Sequence, residues 1–163
     1  MTHFDDLSPY TYLEDDDEET LSVADGYVSY VPAGPRLNVG WLGDRCEPGP
    51  VDEVFAAALR AVVDHQRFNV MRGMHACGLC DTNPYREPDT WDEAVRSGAL
   101  GCHEIRVPGD DGVVYAAPQM IWHYVTAHGY QPPAAFAAAV LAFVAEGGHL
   151  GEPSWIPADA LRE

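Results

Sequence analysis

Two cysteines, Cys77 and Cys80, enclose only Gly78 and Leu79, and this turn constrains the chain more than any other feature. Thiolates at that spacing chelate one ion, with each sulfur about 2.3 Å from a zinc. Glycine at Gly78 helps the backbone bend around such a centre. A redox pair uses the same spacing, but at a strand-to-helix junction of a thioredoxin-like unit. Here strand-forming segments follow instead. Two more ligands must come from elsewhere. His123 and His128 are separated by four residues, within the spacing of structural zinc sites. On an ideal helix, residues five apart diverge by about 140°. Joint ligation is therefore expected to need a loosened last turn at Gly129. His75 competes for the same place, because it lies two residues before Cys77.

The elements around these residues read as α+β. We expect a small antiparallel sheet, about three main helices and one zinc-binding domain over residues 36–163. Residues 50–66 carry an apolar stripe at helical spacing: Val51, Val54, Phe55, Ala58, Leu59, Val62 and Val63. Asp52 and Glu53 suit the start of that helix. Glu104 to Val107 and Val113 to Ala116 read as strands of a hairpin joined by Pro108 to Gly112. A helix is expected from Pro118 to His128, closed by Gly129. Another follows Pro132-Pro133, with Phe136, Val140, Leu141 and Val144 on its core face. Tyr27 to Val31, Leu37 to Leu42 and Phe68 to Met71 read as shorter strands, and Trp91 to Arg96 as a short helix. Residues 1–35 read as an irregular acidic segment and the tail to Glu163 as irregular. A cysteine turn, a hairpin and a helix bearing histidines, in that order, resemble the treble-clef zinc arrangement over roughly residues 70–130.

Charge narrows the function. The chain has 163 residues, 26 acidic against 9 basic, and a formal net charge of -17. Every basic residue is arginine. Such a surface repels phosphate backbones and anionic membranes, so neither nucleic acid nor membrane is an expected partner. A basic protein is the natural complement. The run from Glu14 to Glu19 is expected to be solvated. Four cysteines are too few and too unevenly spaced for a disulfide scaffold. Met1 to Asp6 lack the basic and apolar regions of a signal peptide, so a cytoplasmic location is expected.

Several segments together resemble an uncharacterised family of small bacterial proteins. They are Asp6 to Tyr12, Asn38 to Leu42, Gly73 to Cys80, Glu104 to Val107 and Tyr115 to Phe136. The resemblance implies that His75, Cys77, Cys80, His123 and His128 form one shared pattern. It implies no activity. The acidic run and the Cys102-His103 pair depart from that pattern.

The expected function is that of a small zinc-stabilised binding or regulatory protein. The alternative is a zinc hydrolase or deaminase, which needs an open metal position and a nearby base. Glu104 is the candidate base, although its competing role is a structural carboxylate that orients a ligand histidine. No His-Glu-x-x-His pattern is present, and Cys46, Cys102 and His103 read as bystanders.

Overall fold

Helix α1 (Glu53–His65) begins where the Asp52 carboxylate accepts the backbone N–H groups of Val54 and Phe55 at 2.9 and 3.1 Å. The computed structural model describes residues 2–12 and 18–163. The helix starts after Pro50 and Val51 because the capping carboxylate lies at Asp52. Its buried face is Phe55, Ala56, Leu59, Val62 and Val63, whereas Val54 is exposed. Asp52→Ala is expected to cost about 1 kcal/mol. Thermal unfolding should read this as a fall of roughly 2–4 °C.

The remaining helices are α2 (Trp91–Arg96), α3 (Ile121–His128) and α4 (Ala134–Ala145). Pro118 does not open α3; it ends the preceding strand, and the helix starts three residues later. Phe55, Leu59, Ile121, Val125, Phe136 and Val140 are all buried, as the apolar spacing requires. Leu141, expected on the core face of α4, is exposed. Helix α4 is apolar almost all round, so spacing alone does not choose its buried side.

The strands are β1 (Glu19–Val23), β2 (Gly26–Tyr30), β3 (Arg36–Asn38), β4 (His75–Ala76), β5 (Leu100–Gly101), β6 (Glu104–Pro108), β7 (Val114–Pro118) and β8 (Leu161–Arg162). They form small antiparallel sheets, with one parallel pairing. β1, β2 and β8 pair antiparallel. The β6–β7 hairpin is antiparallel, and β3 lies parallel to β7 on its far side. β4 and β5 pair antiparallel. Phe68, fully buried, bridges Leu21 of β1 and Glu104 of β6 and so joins the two larger ladders. The strand expected at Phe68 to Met71 reduces to this one bridge, because Asn69 takes a positive φ of 47° and turns the chain away.

Two expectations about the ends are corrected. Residues 19–23, expected to be irregular, form β1 and pair in a hairpin with β2, which matches the strand expected at Tyr27 to Val31. Their alternation places Glu19, Leu21, Val28 and Tyr30 inward. Glu14 to Asp17 lie outside the described residues, but Glu19, at the end of the same run, is 3% exposed rather than solvated. The tail is not irregular throughout either, since β8 adds to β2.

Glu19 is buried because it belongs to an ionic network. Arg106, wholly buried, donates from Nε to Glu19 at 2.6 Å and from Nη1 to Glu104 at 2.7 Å. Arg36 donates to both Glu19 oxygens at 3.0 and 3.1 Å, and Tyr30 Oη donates at 2.6 Å. Tyr10 Oη contacts both Glu104 oxygens at 2.8 and 2.9 Å, and its ring lies 4.8 Å from the Arg106 guanidinium carbon. Burial pushes the Glu19 carboxyl up, but Arg106 and Arg36 outweigh it and hold the group at about 2.

Candidate metal centre

The β4–β5 pairing continues past Ala76, where the Cys77 N–H donates to the Ala99 carbonyl at 2.8 Å. The chain then turns through Gly78, and the Leu79 N–H points at Cys77 Sγ at 3.4 Å. This turn places Cys77 and Cys80 against α3. His123 comes from the first turn of that helix and His128 is its last residue. Gly129, at φ 67°, ends the helix immediately afterwards. A side chain at Gly129 would place its Cβ 2.7 Å from the Gly49 carbonyl oxygen, so glycine also permits the close approach of that loop.

Ligand atoms of Cys77, Cys80, His123 and His128 all lie within 4.8 Å of one another, a group that could hold a metal ion. Cys77 Sγ is 3.4 Å from His128 Nε2. Cys80 Sγ is 3.3 Å from His123 Nε2 and 3.5 Å from His128 Nε2. The two Nε2 atoms are 3.2 Å apart. A tetrahedral zinc with ordinary Zn–S and Zn–N bonds separates its ligand atoms by about 3.3–3.8 Å, so these four separations are close to those of a tetrahedral shell.

The orientation of His123 is fixed from outside the cluster. Its Nδ1 donates to the Ser97 carbonyl at 2.9 Å, which leaves the Nε2 lone pair facing the cysteines. The carbonyl at the end of α2 therefore does the orienting that the sequence reading offered to Glu104. Burial lowers both His123 and His128, which disfavours the imidazolium form. Burial, and then the neighbouring Cys77, push the Cys80 thiol up to about 11. A cation reverses that balance, because it stabilises thiolates that an apolar wall does not. A cavity of about 360 Å³ lined by Cys77, Cys80, Asp89, Glu93 and Ser97 lies beside the cluster.

Helix α3 stays helical to His128, so the loosened last turn expected from the spacing is not there. Two long imidazole arms span the divergence instead, with ring centroids 5.0 Å apart and planes at 78°. His75 stands apart from the four. It is exposed on β4, paired with Gly101, and lines a different cavity with Cys102 and Glu104. Glu104 is only 3% exposed and is held by Arg106 and Tyr10, which removes it as a free base. Cys46 touches the centre's edge through the His128 carbonyl at 3.8 Å. The sequence reading missed Ser97, whose contribution is a backbone carbonyl and leaves no mark on residue type. It also missed Arg106, although a charge at the centre of an apolar strand is a signal for a buried pair.

No curated protein and no solved structure matches the chain. A family model does match, over residues 2–141, and that span contains all four clustered residues. Its description is a domain of unknown function, and the chain belongs to that family, DUF7919.

Proposed function

We propose that the chain is a zinc-binding protein whose metal closes the Cys77–Cys80 turn onto α3, and that it acts as a binding or regulatory module. The observation that carries this reading is the convergence of four soft and borderline donors at tetrahedral spacing. Two thiolates and two imidazoles suit zinc's borderline softness and fill its four positions. A filled shell leaves no position for an activated water, so the metal's contribution is structural. Its place supports that role: the centre ties the turn after β4 to both ends of α3, and His123 is bonded in turn to Ser97 at the end of α2.

Elemental analysis of protein purified without chelator should find about one zinc per chain, the number that one four-ligand centre holds. Cobalt exchange then tests closure. A tetrahedral Co(II) spectrum that cyanide and hydroxamates leave unchanged is the expected result. A spectrum altered by either would reveal an exchangeable position and favour the hydrolase or deaminase reading.

The net charge of -17 supports a basic protein as partner and argues against nucleic acid. Duplex DNA is expected to bind negligibly at moderate salt, since acidic surfaces forgo counterion release. Tight, salt-sensitive binding in a mobility-shift assay would contradict this. No helix among the described residues is long and apolar enough to cross a membrane. The four cysteines are unpaired thiols, which supports a reducing, cytoplasmic location.

A further inference from the structure

On the opposite end of α1 from its cap, two histidines line a groove of about 750 Å³. His65 is the last residue of the helix, and His149 follows α4 in a short helical turn. Their rings are 5.2 Å apart at 89°. The rings of His123 and His128 are similarly placed, 5.0 Å apart at 78°. The tautomers correspond as well. His65 Nδ1 donates to the Ala61 carbonyl at 2.8 Å, leaving Nε2 as a bare lone pair, just as Ser97 fixes His123. His149 is 9% exposed, and its buried Nδ1 has no partner among the described residues. Gln66, 2% exposed, lines the same groove with an equally unpartnered Nε2.

We infer that His65 and His149 form a second, open site for a divalent transition-metal ion. One feature of the surroundings favours a cation. The site lies at the C-terminal end of α1, where the helix dipole is negative. Asp64 and Glu152 line the groove with Arg67, but Arg60 holds the first carboxylate at 2.8 Å and Arg162 the second at 2.6 Å, so neither joins the shell and the helix end and the imidazole lone pairs carry the preference. Imidazole-only donors select copper, nickel or zinc over magnesium and calcium. Two protein ligands leave the remaining positions to water or an incoming ligand, in contrast to the closed Cys77–His128 centre. The groove beside them has room for such a ligand.

The test uses the full chain, loaded with one zinc, and titrates Ni²⁺ by calorimetry and by paramagnetic broadening of amide resonances. One further equivalent should bind, and broadening should centre on the C-terminal turn of α1 and on residues 148–150. His65→Gln, at an exposed position, should weaken Ni²⁺ binding at least about tenfold, the lower end of what removing even a supporting group does to a metal site. The same variant should keep its zinc and its unfolding temperature. His149→Phe, which keeps the groove floor filled, should weaken Ni²⁺ comparably. Unchanged affinity in His65→Gln would overturn the site. So would the absence of broadening at the C-terminal turn of α1, whatever else broadens. Because the readout is local to α1, it is independent of whether the first centre holds zinc.

Discussion

Arg106→Met is expected to destabilise the protein by about 3–5 kcal/mol, the usual cost of removing one partner from a buried charge pair. Arg106 is wholly buried and bonds Glu19 and Glu104 at once. Methionine fills most of the volume but leaves Glu104 with Tyr10 alone, and Glu19 with Arg36 and Tyr30. Equilibrium unfolding in urea should show the loss as a lower midpoint with unchanged slope. The acid response distinguishes lost charge pairing from lost packing. In the native protein Glu19 lies at about 2, below its ordinary 4.5. Its contribution is therefore complete above the ordinary value and disappears as pH falls from there through about 2. In Arg106→Met the unpaired Glu104 favours its protonated form in the folded state. Lowering the pH should then recover part of the lost stability. A variant that only weakens further in acid would show that packing, not charge, carried the effect.

That network also marks the limit of what the sequence reveals. Local patterns sufficed for α1, α2, α4 and the β6–β7 hairpin, because apolar spacing and turn residues encode them within a few positions. The network does not work this way. Glu19 meets Arg106 from 87 positions away, and Tyr10 meets Glu104 from 94. Read locally, Glu19 is the end of an acidic run and belongs in solvent. Only tertiary pairing makes its burial tolerable. Glu104 drew a catalytic reading for the same reason, since its hydrogen-bond partner Tyr10 lies 94 positions away. The metal centre lies between these cases. Cys77 and Cys80 are legible from their spacing, and His123 with His128 from theirs. The choice against His75 depends on β4 pairing with β5, and both strands are only two residues long, too short to leave a pattern.

Cys80→Ser is expected to lose the metal and much of the native stability, and the size of that loss follows from linkage. A ligand that binds only the folded state stabilises it by about 4 kcal/mol when its free concentration is a thousand times Kd. For a chain of this size that corresponds to roughly 10–15 °C in unfolding temperature. Structural zinc in minimal fingers contributes more, but those peptides have no other core. Here α1, α4 and the β6–β7 hairpin bury Leu59, Val62, Ile105, Val107, Phe136 and Val140 without help from the centre. The apo protein should therefore stay folded there and loosen at β4, β5 and the end of α2. Hydrogen exchange should rise in those segments and in α3 while α1 and α4 stay protected. Cys77→Ser and His123→Ala should reproduce the effect, and chelation of the native protein should match them. His128→Ala should do the same, because its Nε2 approaches both sulfurs. His75→Ala should keep its zinc, since that side chain is exposed on β4 and outside the cluster. Zinc uptake should also release about two protons near neutral pH, as both thiols ionise on binding. Equal metal retention in His128→Ala and native protein, with loss in His75→Ala, would exchange the two histidines and refute the ligand set described above.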